Sequence, residues 1–129
     1  MEIEDKYKHK MILLVDDVAS MRNMTKAILR DIGFENIDDT WDGINALSLI
    51  KKGHYDLIIC DWNMPKMDGS ELLKILREDK AYKSLPFLML TSTSDIEHVK
   101  KAIAEGVTDY ITKPFQPNYL CKKILSALS

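Results

Sequence analysis

The chain has 129 residues, with 18 Lys+Arg against 20 Asp+Glu and a formal net charge of -2. That length suits one domain able to bury a core without disulfide or metal staples, and the balanced charge lacks the basic face a nucleic-acid reader needs. The opening MEIEDKYKHK is charged throughout with no apolar signal-peptide core, and no apolar run nears the ~20 residues that span a bilayer.

Residues 1–10 are therefore expected as a charged tail. MILLV (11–15) is a continuous apolar run, the pattern of a strand buried on both faces. Residues 19–32 follow with Met21, Met24, Ile28 and Ile32 at helical spacing, and Gly33 sits where a helix end wants positive φ. NIDDT (36–40) reads as a polar edge strand. Ile44, Leu47 and Ile50 stripe a helix over 43–52 that Gly53 closes. DLIIC (56–60) is the next strong strand, and the helix over 70–79 buries Leu72, Leu73 and Leu76. PFLMLT (86–91) is a strand whose proline takes the first position, where no ladder bond is lost. Ile96, Val99 and Ile103 mark a helix ending before Gly106, DYIT (109–112) is a short strand, and Leu120, Ile124 and Leu128 stripe the last helix. Cys60 and Cys121 lack C-x-x-C spacing and lie in apolar patterns, as reduced core thiols of a cytoplasmic protein would.

Five strands alternating with five helices over short crossovers predict parallel βαβ units, a doubly wound α/β sheet with helices on both faces. The order 2-1-3-4-5 fits best, because it puts the polar 36–40 strand at one edge and the apolar runs in the centre. In such sheets chemistry lies at the carboxyl ends of the strands, near the switch point between the first and third. There the sequence places Asp16 and Asp17, Asp61, Thr91, and Lys113 followed by Pro114.

Taken singly, each has a plain structural explanation. Asp16 or Asp17 could cap the following helix, Asp61 could open an Asx-turn, Thr91 could bond locally, and Lys113 could be solvated. Two adjacent acids need only one cap, however, and five such groups at one rim strain these explanations. Three clustered carboxylates repel unless cations offset them. All-oxygen ligands suit Mg²⁺ rather than zinc, and His9, His54 and His98 show no zinc-ligand spacing and read as surface residues. A divalent cation, an ammonium and a hydroxyl are what a phosphoryl group requires. A carboxylate within that ring can attack phosphorus and form an acyl phosphate.

The ordered set LLVDD, MRNMTKAILRDIGF, WDGINAL, DWNMPKMDG, LPFLMLTS and DYITKPF resembles the receiver domain of two-component response regulators, in particular the stand-alone chemotaxis branch. The resemblance covers about residues 10–127 and implies a flavodoxin-like fold, with the receiver over 11–129. It implies Asp61 as phosphoacceptor, Asp17 as a direct Mg²⁺ (or Mn²⁺) ligand, Asp16 as a ligand mainly through water, and Asn63 as a ligand through its backbone carbonyl. Thr91 would donate to the phosphoryl group, Lys113 would pair with it across a cis bond to Pro114, and the small Ser92 would admit it. Tyr110 matches the aromatic switch position, with output on the face of residues 95–128. A CheA-like histidine kinase would be the phosphodonor and a protein the target, with a monomeric chain, no nucleic acid and no membrane. The family signals rather than turning over a substrate, catalysing only its own phosphorylation and dephosphorylation.

Two positions depart from the pattern. Thr93 stands where the best-known chemotaxis regulators carry an acid, which leaves the phosphoryl lifetime open, and Ile96 stands where motor-binding members tend to be basic. A phosphorelay intermediate and a receiver cut from a longer regulator are the alternatives within the family. Outside it, an aspartyl phosphatase would want an acid at position 63 and a cap domain. A flavin module would want a hydroxyl- and glycine-rich loop where this chain has DDVASM.

Overall fold

Strands buried on both faces need apolar residues at every position, and three segments supply them. The computed structural model describes residues 3–92 and 96–129. In it β1 (Met11–Val15), β3 (Leu57–Asp61) and β4 (Phe87–Ser92) occupy the middle of a five-stranded sheet, flanked by β2 (Asn36–Thr40) and β5 (Asp109–Lys113). The order is β2-β1-β3-β4-β5 with every neighbouring pair parallel. Around it run α1 (Asp5–Lys8), α2 (Ala19–Ile32), α3 (Gly43–Lys52), α4 (Gly69–Glu78), α5 (Ile96–Ala104) and α6 (Pro117–Leu128).

The period-2 alternation of the strands builds two cores. Ile12, Leu14, Leu57, Ile59, Leu88 and Leu90 face Leu29 and Ile32 of α2 and Leu120 and Ile124 of α6. Leu13, Val15, Ile58, Cys60, Phe87 and Met89 face Ala46 and Ile50 of α3, the leucines of α4, and Ala102 of α5. Each fully buried Leu, Ile or Phe contributes about 1.5–3 kcal/mol of transfer free energy. Cys60 and Cys121 are buried thiols, as expected.

The fold matches the expected sheet, with corrections in its helices. There are six helices among the described residues rather than five, because residues 5–8 of the expected tail wind into α1. Ile3 before it is buried, and its Cγ1 would lie 3.2 Å from a Cβ built on Gly33; Gly33 itself, at φ 125, ends α2 in the region that favours glycine. Three helices also face the sheet differently from the predicted stripes. Thr25, Leu29 and Ile32 are the buried residues of α2, leaving Met24 47% exposed. In α3 the inward residues are Gly43, Ala46 and Ile50, and Ile44 points out. In α5 it is Ala102 that is buried, while Ile96 and Ile103 are 64% and 59% exposed. Small residues, Thr25, Gly43, Ala46 and Ala102, share the docking faces with Leu29, Ile32 and Ile50, while Met24, Ile44, Ile96 and Ile103 turn outward.

Strand limits shift by one residue in a way that matters. β3 includes Asp61, and β4 starts after Pro86, whose carbonyl accepts from Ile58 N at 2.9 Å. α4 starts at Gly69 behind a reciprocal capping box: Asp68 accepts from Glu71 N, and the Glu71 carboxylate accepts from Asp68 N. None of the described helices is long and apolar enough to cross a membrane.

Candidate functional site

Parallel strands all end at the same edge, so residues distant in sequence meet there. Asp16 continues β1 by donating its N–H to Thr40 O, and its Oδ1 accepts from Val18 N at 3.0 Å, the Asx-turn that starts the chain toward α2. Arg22 of α2 donates to Asp16 O at 2.8 Å and to Asp39 Oδ2 at 3.0 Å, which ties this corner to β2. Asp16 thus does carry a turn-forming role, and the adjacent Asp17 projects into an exposed position.

Asp61, 6% exposed, ends β3. Its loop is held at both ends: Trp62 N donates to Leu90 O at 3.0 Å, and Gly69 N donates to Trp62 O at 2.9 Å. A Cβ on Gly69 would lie 2.6 Å from Asp61 O and 2.7 Å from Met89 Sδ, so this close approach requires glycine for space. Asn63 is exposed and shares a hollow with Asp17, Met64, Pro65 and Asp68.

The carboxylates of Asp16, Asp17 and Asp61 each place an oxygen within 4.8 Å of the others. Lys113 Nζ, at the end of β5, donates to Asp61 Oδ1 at 2.7 Å, and the Lys113–Pro114 peptide is cis. Burial pushes the Asp61 carboxyl above its usual range; Lys113 opposes this, and the charges of Asp16 and Asp17 add to it. Thr91, at the end of β4, is buried, and its Oγ1 has no hydrogen-bond partner among the described residues. An orphaned buried hydroxyl is uncommon; here it lies one strand from Asp61, since Leu90 pairs with Asp61.

All-oxygen donors this close together, with neither His nor a thiolate among them, fit a hard divalent cation such as Mg²⁺. The adjacent Cys60 does not change this, because burial holds its thiol well above its usual range and Asp61, Asp16 and Asp68 add to the shift. Tyr110 sits apart from the cluster. It is half-buried on β5 against the second core, with Lys123 Nζ 5.5 Å from its ring centroid. Ser92 is exposed and pairs in register with Lys113. Thr93 lies outside the described residues.

Three features escaped the sequence reading. Asp68-x-x-Glu71 was readable as a capping pattern. The two hydrogen bonds donated by Arg22, and the stacking of Trp62 on His98 with centroids 4.0 Å apart at 10°, join distant residues that no local pattern links. His98, expected at the surface, is half-buried there.

An acidic pocket at the switch point of a 2-1-3-4-5 sheet, faced by a lysine on the last strand, is the site of a receiver. This chain belongs to the response regulator receiver domain family, whose model matches residues 12–125. It is 44% identical over 117 residues to chemotaxis protein CheY-3 of Vibrio cholerae, covering 91% of this chain and 90% of that one. The solved structure of chemotaxis response regulator CheY4 of Vibrio cholerae is similar at a TM-score of 0.85 and 38% identity, covering 93% of this chain and 99% of that one. The receiver domain of a sensor histidine kinase from Pseudomonas aeruginosa, solved with a magnesium ion in its active-site cleft, matches at a TM-score of 0.84 and 26% identity over 93% of this chain and 98% of that one.

Proposed function

We propose that the chain is a phosphorylation-controlled switch in chemotaxis-type signalling rather than an enzyme acting on an external substrate. The observation that carries this reading is the three-carboxylate cluster facing Lys113 beside the unpartnered hydroxyl of Thr91. An Asp61 carboxylate oxygen attacks the phosphorus of a kinase phosphohistidine. The O–P bond forms as the N–P bond breaks, and the imidazole nitrogen leaves with the electron pair. Lys113 moves from Asp61 to a phosphoryl oxygen, and Thr91 turns its hydroxyl onto another. Asp17, Asp61, the Asn63 carbonyl and, through water, Asp16 would hold Mg²⁺ or Mn²⁺; when bound, it supplies positive charge against the phosphoryl oxygens. The magnesium in the Pseudomonas receiver supports this assignment. Signal decay is the attack of water on the same phosphorus, which expels the Asp61 carboxylate and releases inorganic phosphate.

Movement of Thr91 vacates space that the Tyr110 ring fills, which reshapes the face of α5, β5 and α6. Exposed Ile96, Ile103 and Tyr119 give that face apolar contact area for a protein target. The names of the Vibrio relatives, a chemotaxis protein and a chemotaxis response regulator, favour a chemotaxis role; a CheA-like histidine kinase as donor, a cytoplasmic location and a monomeric chain complete the proposal. In a Trp41→Phe background, Trp62 fluorescence should respond to Mg²⁺ and then to acetyl phosphate. Loss of the second response in Asp61→Ala supports the reading; silence in the parent, or an undiminished response in Asp61→Ala, contradicts it.

A further inference from the structure

The Trp62–His98 stack joins the loop that carries Asp61 to the helix that carries the output face, and nothing in the phosphoryl chemistry uses it. Its two rings belong to differently anchored parts. Trp62 is 4% exposed, embedded in the second core, and pinned through its backbone to Leu90 and Gly69. His98 rides on α5, which follows Thr91 in the chain and buries only Ala102 among its described residues. The far end of α5 is tied down separately: Ser70 Oγ donates to Glu105 Oε2 at 2.6 Å, and Arg77 Nε donates to Gly106 O at 2.8 Å. The helix is thus anchored to α4 at its carboxyl end, and nearer its start His98 stacks on the phosphoacceptor loop.

We propose that the Trp62–His98 stack is a positioning contact that holds α5 in its resting place, so that chemistry at Asp61 reaches the output face through this contact as well as through Thr91 and Tyr110. The inference rests on the reading of Asp61 as phosphoacceptor. When the Thr91 hydroxyl is drawn toward a phosphoryl group, α5, the helix that follows β4, shifts while Trp62 stays fixed, and the rings separate. The stack therefore opposes activation, and its strength sets how far the resting and phosphorylated states of α5 differ.

The test is amide hydrogen exchange over residues 96–104 in the full chain, with and without acetyl phosphate and Mg²⁺, and with acyl phosphate followed by intact mass. In His98→Ala, exchange in the unphosphorylated protein should rise about two- to tenfold, the worth of an aromatic pair. The ratio between phosphorylated and resting exchange should shrink by the same factor while the acyl phosphate mass stays normal. His98→Phe, which restores a ring, should behave like the parent. An equal rise in both states would make the contact merely structural and overturn the proposal, as would a His98→Phe variant that behaves like His98→Ala. Absence of the acyl phosphate mass in the parent would instead defeat the underlying assignment of Asp61.

Discussion

Asp39 and Asp61 stand at the carboxyl end of one sheet, two strands apart, in opposite surroundings. Asp39 on edge strand β2 has two cations to itself, Arg22 Nε and Lys26 Nζ, each at 3.0 Å. Asp61 at the centre shares Lys113, at 2.7 Å, with a pocket holding two further carboxylates. Burial raises both, but for Asp39 the hydrogen bonds and charges of Lys26 and Arg22 win and hold its carboxyl below the usual range. For Asp61 burial and the neighbouring acids win, and its carboxyl is raised. A carboxylate surrounded by cations is finished structure. One surrounded by carboxylates and a single ammonium is short of positive charge, and that deficit suits it to bind a cation and a phosphoryl group.

The comparison breaks most visibly in activity. Asp61→Ala should abolish the acetyl phosphate response of Trp62 fluorescence, whereas Asp39→Ala should keep it. Adding cation should sharpen the contrast. A ligand at a hundred times its dissociation constant stabilises a protein by about 2.7 kcal/mol. Mg²⁺ at that level should raise the urea midpoint of the parent and of Asp39→Ala, but leave Asp17→Asn or Asp61→Asn nearly unmoved. Gly69→Ala should cost about 1–3 kcal/mol, as overpacking does, because the new Cβ meets Asp61 O and Met89 Sδ at under 3 Å. It should weaken the Mg²⁺ response as well, which Asp39→Ala does not.

The two acids should also titrate stability in opposite senses. A raised carboxyl binds more protons folded than unfolded, so in Mg²⁺-free buffer Asp61 costs stability as pH climbs from the ordinary carboxylate range through its raised value. Asp61→Asn should therefore gain on the parent across that rise. A lowered carboxyl binds fewer protons folded, so the contribution of Asp39 is present above the ordinary carboxylate range and lost as pH falls through its lowered value. Urea midpoints against pH check both signs. The smallest effect is the stability cost of Asp39→Ala at neutral pH, about 0.5–1 kcal/mol for a partly exposed pair.

Much of this was legible in the sequence, because a parallel sheet turns apolar runs into strands and strand ends into one rim. MILLV, DLIIC and PFLMLT announced the central strands, and the acids and lysine at their ends fell together without any contact being known. What stayed hidden depended on packing. α2, α3 and α5 carry apolar residues on more than one face, and the small side chains Thr25, Ala46 and Ala102 decided which face docked. α1 has too few residues for any period to show, and it gained its place because Ile3 packs beside Gly33. The Arg22 bonds and the Trp62–His98 stack pair side chains from separate elements, which spacing along a chain does not encode.

The most direct measurement is the mass of the chain, and of its proteolytic fragments, after brief exposure to acetyl phosphate and Mg²⁺. The account predicts one phosphoryl adduct, confined to the fragment containing Asp61, missing without a divalent cation and missing in Asp61→Ala. An adduct of equal yield in Asp61→Ala, or one located on a fragment without Asp61, would contradict it.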